Sequence, residues 1–248
     1  AGGRLGAAAR EQGGVVIVSN AAGMAALLPS LNLWPSDAYT FGNVRSGAAE
    51  AAEDSTGGGG GAGAGSGGGR AGDVTACVAT EATAAFKARF EKDGFARDVR
   101  AVLMLHGHRH PHVLLLRRGG HWELPGGILA AGAGERSGLQ DLLSACLSVH
   151  SGPAPEWEVG EPLAVWHRPN FDDHVYPYVP PHVAEPKGSV KVFLCRLGPS
   201  ATFVVPDGVE LVAVPLIELY GAAKTYGTVI ARLPELLSRF RINYLDAE

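Results

Sequence analysis

The sequence predicts a layered α/β sandwich with a mixed sheet, preceded by an N-terminal extension. From Asp73 onward, apolar runs of strand length alternate with segments whose apolar residues recur at helical spacing. Before that point the chain is rich in glycine, and ten of the thirteen residues from Gly57 to Gly69 are Gly. Such a stretch has almost no side chains to bury, so it cannot contribute to a core.

Composition divides the chain into four parts. Residues 1–30 are an Ala- and Gly-rich lead that we expect to be disordered. Residues 31–43 hold three aromatic side chains, and we expect them to pack on the main domain as an arm. Residues 44–72 are predicted to be a Gly-rich flexible linker, and residues 73–248 are predicted to be the main domain.

The first elements of the main domain follow from apolar spacing. Phe86 and Phe90 lie in a segment without Gly or Pro, which predicts a helix. The apolar runs Val99–Leu105 and Val113–Leu116 predict a β-hairpin with its turn around Arg109–Pro111.

A Leu-Pro-Gly-Gly sequence at residues 124–127 breaks the chain after this hairpin, and a helix is predicted at Ser137–Val149 from its leucine spacing. The remaining elements are short. Strands are predicted at Val159–His167, Val190–Leu197 and Val209–Pro215, and helices at Leu216–Tyr220 and Leu233–Phe240.

The charge of the chain excludes a broad basic surface. Twenty-one Lys and Arg residues against 25 Asp and Glu residues give a formal net charge of −4. Binding of nucleic acid must therefore depend on a few local contacts. The apolar runs are far shorter than the about eighteen residues that a membrane-spanning helix needs, so no membrane partner is expected.

No cofactor or metal site is predicted from the cysteines and histidines. The three cysteines are scattered and form no Cys-x-x-Cys pair, which argues against a zinc site or a disulfide framework and suits a reducing compartment. Four histidines alternate between residues 106 and 112, but Gly107 and Pro111 within the run favour a turn over a ligand-bearing strand.

The residues around the Leu-Pro-Gly-Gly sequence resemble a known fold family. Trp122-Glu123-Leu124-Pro125-Gly126-Gly127, after a hairpin and before a helix, resembles the signature region of the Nudix fold. The resemblance implies a Nudix-type α/β/α sandwich with a mixed sheet for residues 73–248. In catalytic members, carboxylates on the helix hold divalent metals against a pyrophosphate.

The carboxylates that this resemblance requires are absent. Counting from Gly127 places Ala133, Leu142, Ala145 and Cys146 at the Glu positions, and Asp141 at the Arg position. If Glu135 is taken as the first Glu instead, the later positions hold leucines and serines. Mg²⁺ requires hard oxygen ligands, so neither register builds a metal site and we expect a protein without enzymatic activity.

Several longer sequence motifs narrow the resemblance to one family. These motifs are Tyr39-Thr40-Phe41-Gly42, Trp166-His167-Arg168-Pro169-Asn170-Phe171, Tyr176-Pro177-Tyr178-Val179-Pro180 and Leu233-Pro234-Glu235-Leu236-Leu237-Ser238-Arg239-Phe240. In this order they resemble the small Nudix-fold subunit of pre-mRNA cleavage factor I. The match runs from about Leu31 to Tyr244 and is interrupted by the Gly-rich insertion.

The resemblance implies a nuclear homodimer in the cleavage and polyadenylation machinery. It implies a catalytically silent protein that binds the single-stranded sequence UGUA in pre-mRNA and recruits a larger subunit carrying an RNA-recognition domain. Unpaired bases can be stacked on rings and read on their edges without a basic patch, which fits the composition of this chain.

Carried over residue by residue, the resemblance implies a set of RNA-binding positions. The base-stacking Phe of the family falls on His121, and the neighbouring Trp122 is expected in the core. Leu124 matches a Leu that contacts a base through its backbone, and Tyr226 matches the Tyr that precedes Gly227.

Two alignments remain open for the family's other contacts. Glu81 and Arg89 reproduce a Glu and an Arg that lie eight residues apart on the first helix. An ungapped alignment, which we favour, places Val74 and Ala82 there and puts Arg100 at a further family Glu. These substitutions motivate a second hypothesis, a structural dimer that scaffolds the larger subunit without sequence-specific reading of RNA.

Overall fold

A computed structural model describes residues 29–43, 83–147 and 157–246. The strands are β1 (Ser30–Leu33), β2 (Tyr39–Asn43), β3 (Ala96–Gly107), β4 (His110–Arg118), β5 (His121–Glu123), β6 (Gly126–Ile128), β7 (Glu158–Arg168), β8 (Gly188–Arg196), β9 (Ala201–Val205), β10 (Glu210–Pro215) and β11 (Arg241–Tyr244). The helices are α1 (Thr83–Asp93), α2 (Glu135–Leu147), α3 (Leu216–Leu219), α4 (Ala223–Tyr226), α5 (Thr228–Ala231) and α6 (Leu233–Leu237). None of the described helices is long and apolar enough to cross a membrane.

A mixed sheet forms the centre of the described structure. Its main path runs β10-β4-β3-β8-β7, with β5 paired to β4 and β6 paired to β3. Strands β3 and β8 are parallel, and the other pairs are antiparallel. Strand β3 pairs with β4 only over Met104–Gly107, whereas its beginning, Asp98–Arg100, pairs with β6. The β5–β6 segment therefore lies where β3 and β4 diverge.

Apolar residues alternate along β3 between two core clusters, as expected for a strand buried on both faces. Val99, Ala101 and Leu103 belong to the cluster that includes α2 and the β2–β9 pair, and Val102 and Met104 belong to the cluster that includes α3–α6 and the β1–β11 pair. Helices thus cover both faces, and the predicted α/β/α sandwich with a mixed sheet is confirmed.

The segment around residues 30–43 lies along the same chain's main domain. Strand β1 pairs in parallel with β11, and β2 pairs in parallel with β9. The Tyr39 hydroxyl donates to the Gly198 carbonyl at 2.8 Å, and the His106 amide donates to the Trp34 carbonyl at 2.9 Å. The lead before residue 29 and the Gly-rich stretch 44–72 lie outside the described residues.

The first hairpin turns earlier than the sequence predicts. Its turn consists of His108 and Arg109, both in the left-handed region with φ of 51° and 62°. Pro111 lies within β4 opposite His106, not in the turn. The strand tolerates this proline because pairing with β10 begins only at the next residue, His112, so the missing amide hydrogen is not needed.

Two cysteines lie within the described residues, and they differ in their bonding. Cys146 is disulfide-bonded, whereas Cys195 is a free and buried thiol. Burial raises the pKa of the Cys195 thiol to about 12. The cysteine spacing, which argues against a disulfide framework, did not indicate the bond at Cys146, because spacing along a sequence does not report which thiols the fold brings together.

Candidate functional site

A glycine turn places the candidate site against the start of β3. Gly126 has a φ of 137°, and a Cβ at this position would lie 2.2 Å from the Val99 carbonyl oxygen. Only glycine fits such a close approach of two backbones. The Pro125 carbonyl accepts a hydrogen bond of 2.7 Å from the Ala101 amide, which holds the loop between β5 and β6 against β3.

Arg100 ties this loop to the sheet through charged hydrogen bonds. Its Nε and Nη2 donate to the two carboxylate oxygens of Asp98 at 2.7 and 3.0 Å. Its Nη1 donates to Glu123 Oε2 at 3.0 Å and to the Leu124 carbonyl at 3.1 Å. We call Arg100, Asp98, Glu123 and the Leu124 carbonyl the arginine clamp.

The arginine clamp is nearly removed from solvent. The side chains of Arg100, Asp98 and Glu123 are only 12%, 16% and 14% exposed. Burial by itself lowers the pKa of Arg100, but the charges and hydrogen bonds of the two carboxylates outweigh it and raise that pKa above its ordinary value. The guanidinium is therefore held in its charged form and directed at protein acceptors.

Trp122 of β5 and Tyr226 of α4 form an aromatic pair. Their ring centroids lie 5.1 Å apart, and the Arg117 guanidinium carbon lies 5.3 Å from the centroid of the Trp122 ring. The Tyr226 side chain is buried and donates its hydroxyl hydrogen to Glu218. Burial, followed by the hydrogen bond and the charge of Glu218, raises the pKa of Tyr226 to about 12.

The predicted RNA-binding residues are distributed over three elements. His121 is exposed on β5, opposite Arg118 of β4, and Leu124 is buried beyond the end of β5 with its carbonyl in the arginine clamp. Tyr226 lies on α4 against Trp122. His121, Leu124, Arg100 and Tyr226 are thus grouped around the β5–β6 segment.

The remaining predicted residues are not part of this group. Arg89 is half-buried on the separate helix α1. Glu81, and the alternative pair Val74 and Ala82, lie outside the described residues. Trp122, expected in the core, is half-buried and packs against the apolar cluster that contains Tyr226.

The start of α2 carries an ion pair with strand β8. Lys191 Nζ lies 2.6 and 2.8 Å from the two carboxylate oxygens of Glu135. Leu142 is half-buried, Ala145 is exposed and Cys146 is disulfide-bonded.

These residues do not fit a divalent metal. Alanine and leucine offer no oxygen ligand, and a lysine ammonium occupies the carboxylate of Glu135. In the described ranges, no group of three or more His, Cys, Asp or Glu side chains could hold a metal ion.

Four residues of the site escape prediction from the sequence: Asp98, Glu123, Lys191 and Glu218. Asp98 and Arg100 lie two apart on one strand, a spacing that places side chains on the same face and could have indicated their pairing. Glu123, Lys191 and Glu218 contact partners more distant in the sequence or across a loop, and nothing local in the sequence indicates those contacts.

Comparison with known proteins identifies the family to which this chain belongs. A Nudix family model described as a nucleotide hydrolase matches residues 73–240, more than half of the chain. The pre-mRNA cleavage factor Im 25 kDa subunit 2 of Arabidopsis thaliana is 40% identical over 166 residues, which cover 66% of this chain and 83% of that protein. The chain belongs to the family of cleavage factor Im 25 kDa subunits.

The chain is also similar to a further relative and to a solved structure. The cleavage and polyadenylation specificity factor subunit 5 of Dictyostelium discoideum is 37% identical over 171 residues, covering 68% of this chain and 86% of that protein. Among solved structures, the Nudix domain of NrtR from Shewanella oneidensis, complexed with ADP ribose, is 17% identical with a TM-score of 0.39. That comparison covers 58% of this chain and 86% of the NrtR domain.

Proposed function

We propose that this chain is a non-catalytic, RNA-binding subunit of the pre-mRNA 3′-end cleavage and polyadenylation machinery. In this proposal it acts in the nucleus as a homodimer and binds a larger cleavage factor subunit that carries an RNA-recognition domain. The relatives support the process, because their names are those of pre-mRNA cleavage and polyadenylation factors.

The observation that carries the proposal is the ion pair between Lys191 and Glu135. Hydrolysis of a pyrophosphate by this fold needs metal ions to neutralise charge and to orient water. Here the carboxylate at the start of α2 is neutralised by an ammonium group at 2.6 Å, and the later Glu positions of the resemblance hold Leu142, Ala145 and Cys146, so Asp141 is the one later carboxylate on this helix. A scaffold of this kind can bind a nucleotide but has no means of cleaving it.

We propose that RNA is read at the β5–β6 segment. His121 is exposed and can stack on one base, an interaction for which alanine substitution removes roughly 1–3 kcal/mol per base. The Leu124 carbonyl has a second lone pair beyond the bond from Arg100, so it can still accept a hydrogen bond from a base edge. Few phosphates need to be neutralised for such binding, in keeping with the net charge of −4.

Arg100 is proposed to position this site without touching the bases. Its guanidinium is committed to Asp98, Glu123 and the Leu124 carbonyl, so it fixes the loop from which Leu124 is presented. The ungapped alignment places a family Glu at this position, and a guanidinium cannot accept a hydrogen bond from a base as a carboxylate can. We therefore propose reading of a UGUA-like element in which the base facing this position is less strictly selected.

Fluorescence anisotropy tests the proposal. A fluorescent oligonucleotide containing UGUA is expected to bind more tightly than one of the same composition with a scrambled core. Equal affinities would remove the sequence-reading part of the proposal. A turnover assay with dinucleoside polyphosphates and Mg²⁺ tests the non-catalytic part, and metal-dependent cleavage would contradict it.

A second candidate function is a structural dimer that scaffolds the larger subunit without reading RNA. One observation favours it: the polar groups of Arg100 and Tyr226 are already bonded to protein carboxylates. A scaffold would retain a large-subunit homologue in a pull-down after His121→Ala, and the wild-type chain would show no preference for UGUA. A preference for UGUA that His121→Ala abolishes would exclude this candidate.

A further inference from the structure

A cluster of cations and aromatic rings borders the arginine clamp on the side of α1. The Arg168 guanidinium carbon lies 4.7 Å from the centroid of the Phe86 ring, and Lys187 Nζ lies 4.9 Å from that of Phe90 and 5.9 Å from that of Phe171. Phe171 also packs edge-on against both other rings, at centroid distances of 5.7 and 5.4 Å. We call these five residues the cationic ridge.

The backbone fixes the two cations of the ridge next to each other. The Lys187 amide donates to the Arg168 carbonyl at 2.7 Å, and this bond closes the loop between β7 and β8. Arg168 lies opposite Gly188, which in turn lies opposite Ala96 at the start of β3. The cations therefore lie at the same end of the sheet as Asp98 and Arg100.

The ridge and the arginine clamp are contiguous. A small cavity is lined by Phe86, Asp98 and Arg168, among others, so Asp98 borders the ridge while it also bonds Arg100. A strand of RNA that lies on the β5–β6 segment and continues toward α1 would pass over this cavity.

The charges of the ridge differ in their partners from those of Arg100 and Arg117. Arg100 has two carboxylate partners, and Arg117 lies 3.7 Å from Glu210. Within the described residues, Arg168 and Lys187 have ring faces but no carboxylate as partners. A ring face orients a cation without neutralising it. These two half-buried side chains therefore keep their full charge available for an anion.

We propose that the cationic ridge is a phosphate-binding extension of the RNA site, on which Arg168 and Lys187 each contact one phosphate of the nucleotides that flank the UGUA-like core. This inference rests on the proposed function of the β5–β6 segment as the core site. It predicts that the chain binds a longer RNA than the core alone, and that the added affinity depends on charge and not on sequence.

The experiment compares three RNAs by fluorescence anisotropy: the four-nucleotide core, and the core extended by five uridines at its 5′ or its 3′ end. One extension is expected to increase affinity. In the full chain with Arg168→Gln and Lys187→Gln together, this increase is expected to vanish while binding of the core persists. Only side chains change, so the backbone bonds of both residues remain.

Salt dependence identifies the contacts as phosphates. For single strands the slope of log affinity against log salt is about −0.7 per phosphate, so loss of two contacts makes it shallower by about 1.4. Between 50 and 200 mM salt, the affinity of the wild type for the extended RNA then falls about sevenfold more than that of the double variant.

Two further variants separate charge from structure. Arg109→Gln with Arg196→Gln also removes two cations, but at the opposite end of β3 and β8, and is expected to leave the gain from extension unchanged. Arg168→Lys with Lys187→Arg keeps both charges and is expected to keep the wild-type slope, even if the melting temperature falls.

The outcomes are distinguishable. Absence of binding to every RNA overturns both this inference and the proposed function. Binding of the core without a gain in affinity from either extension overturns only the inference about the cationic ridge. A gain that survives Arg168→Gln with Lys187→Gln also overturns it. If the double variant binds both RNAs normally but no longer retains a large-subunit homologue, the ridge contacts protein and the inference is wrong.

Discussion

Lys191 Nζ lies 2.6 Å from Glu135 Oε1 and 2.8 Å from Glu135 Oε2, which joins the first residue of α2 to strand β8 of the main sheet. The Glu135 carboxylate anchors the helix to the sheet, and its charge is balanced by the ammonium group of Lys191.

The first prediction concerns the strength of this pair. The two side chains are 27% and 37% exposed, so their interaction is screened by solvent and should contribute about 0.5–1 kcal/mol to folding. A double-mutant cycle with Lys191→Met and Glu135→Gln, measured by urea unfolding, gives the coupling energy. The pair of Arg196 and Glu158, 50% and 64% exposed, is the matched control and should give a coupling nearer zero.

The second prediction concerns the arginine clamp. Replacing Arg100 by Leu removes the cation that lies between two buried carboxylates, and loss of one partner from a buried pair destabilises by about 3–5 kcal/mol. Urea unfolding of Arg100→Leu should show a loss of this size. Arg109→Leu removes an arginine whose side chain is 70% exposed and should change stability by less than about 0.5 kcal/mol.

Neutralising the carboxylates of the clamp separates charge from packing. If the buried carboxylate charge is the cause, Asp98→Asn and Glu123→Gln should restore part of the stability that Arg100→Leu removes. No recovery in the triple variant would show that the arginine acts through packing alone.

The third prediction concerns His121. This side chain is exposed, so His121→Ala should leave the unfolding midpoint almost unchanged while weakening binding of a UGUA oligonucleotide by roughly 1–3 kcal/mol. His121→Phe offers a larger ring and should bind at least as tightly as the wild type. Unchanged affinity in both variants would place base stacking elsewhere.

The fourth prediction concerns the buried tyrosine hydroxyls. Burial raises the pKa of Tyr39 to about 12, and burial together with Glu218 raises that of Tyr226 to about 12. Both values exceed the value of about 10 expected in the unfolded chain. Their contribution to stability is therefore fully present below about pH 10 and is lost as the pH rises toward 12.

Absorbance at the phenolate band during alkaline titration measures the ionisation of these two hydroxyls directly. Tyr39→Phe and Tyr226→Phe should each remove part of the step near pH 12, and the double variant should remove it altogether. A late step of full amplitude in the double variant would mean that other tyrosines carry it.

Much of the fold could be predicted from the sequence because its elements have a strong period or sharp boundaries. The strands at Glu158–Arg168, Gly188–Arg196 and Glu210–Pro215 agree with prediction within about two residues at each end, and the helix predicted around Phe86 and Phe90 is found at Thr83–Asp93. The short elements β5, β6, β9 and β11 and the helices α4 and α5 were not predicted, because three to five residues are too few to show a period.

The site was less predictable than the fold. The resemblance directs attention to His121 and Leu124, and the structure places both at the β5–β6 segment. The partners of Arg100, Lys191 and Tyr226 depend on contacts that the sheet and loops create, and these decide whether each group is free to meet a ligand. Composition and spacing carry no information about such pairings.

The central claim is that this scaffold binds nucleotides without metal and does not cleave them. Its most direct test is the affinity for a UGUA oligonucleotide measured in EDTA and in Mg²⁺ at equal ionic strength, with the RNA and an added dinucleoside polyphosphate recovered and analysed afterwards. We predict equal dissociation constants in the two buffers and intact molecules in both. Binding that requires Mg²⁺, or cleavage that appears only with Mg²⁺, would contradict the account.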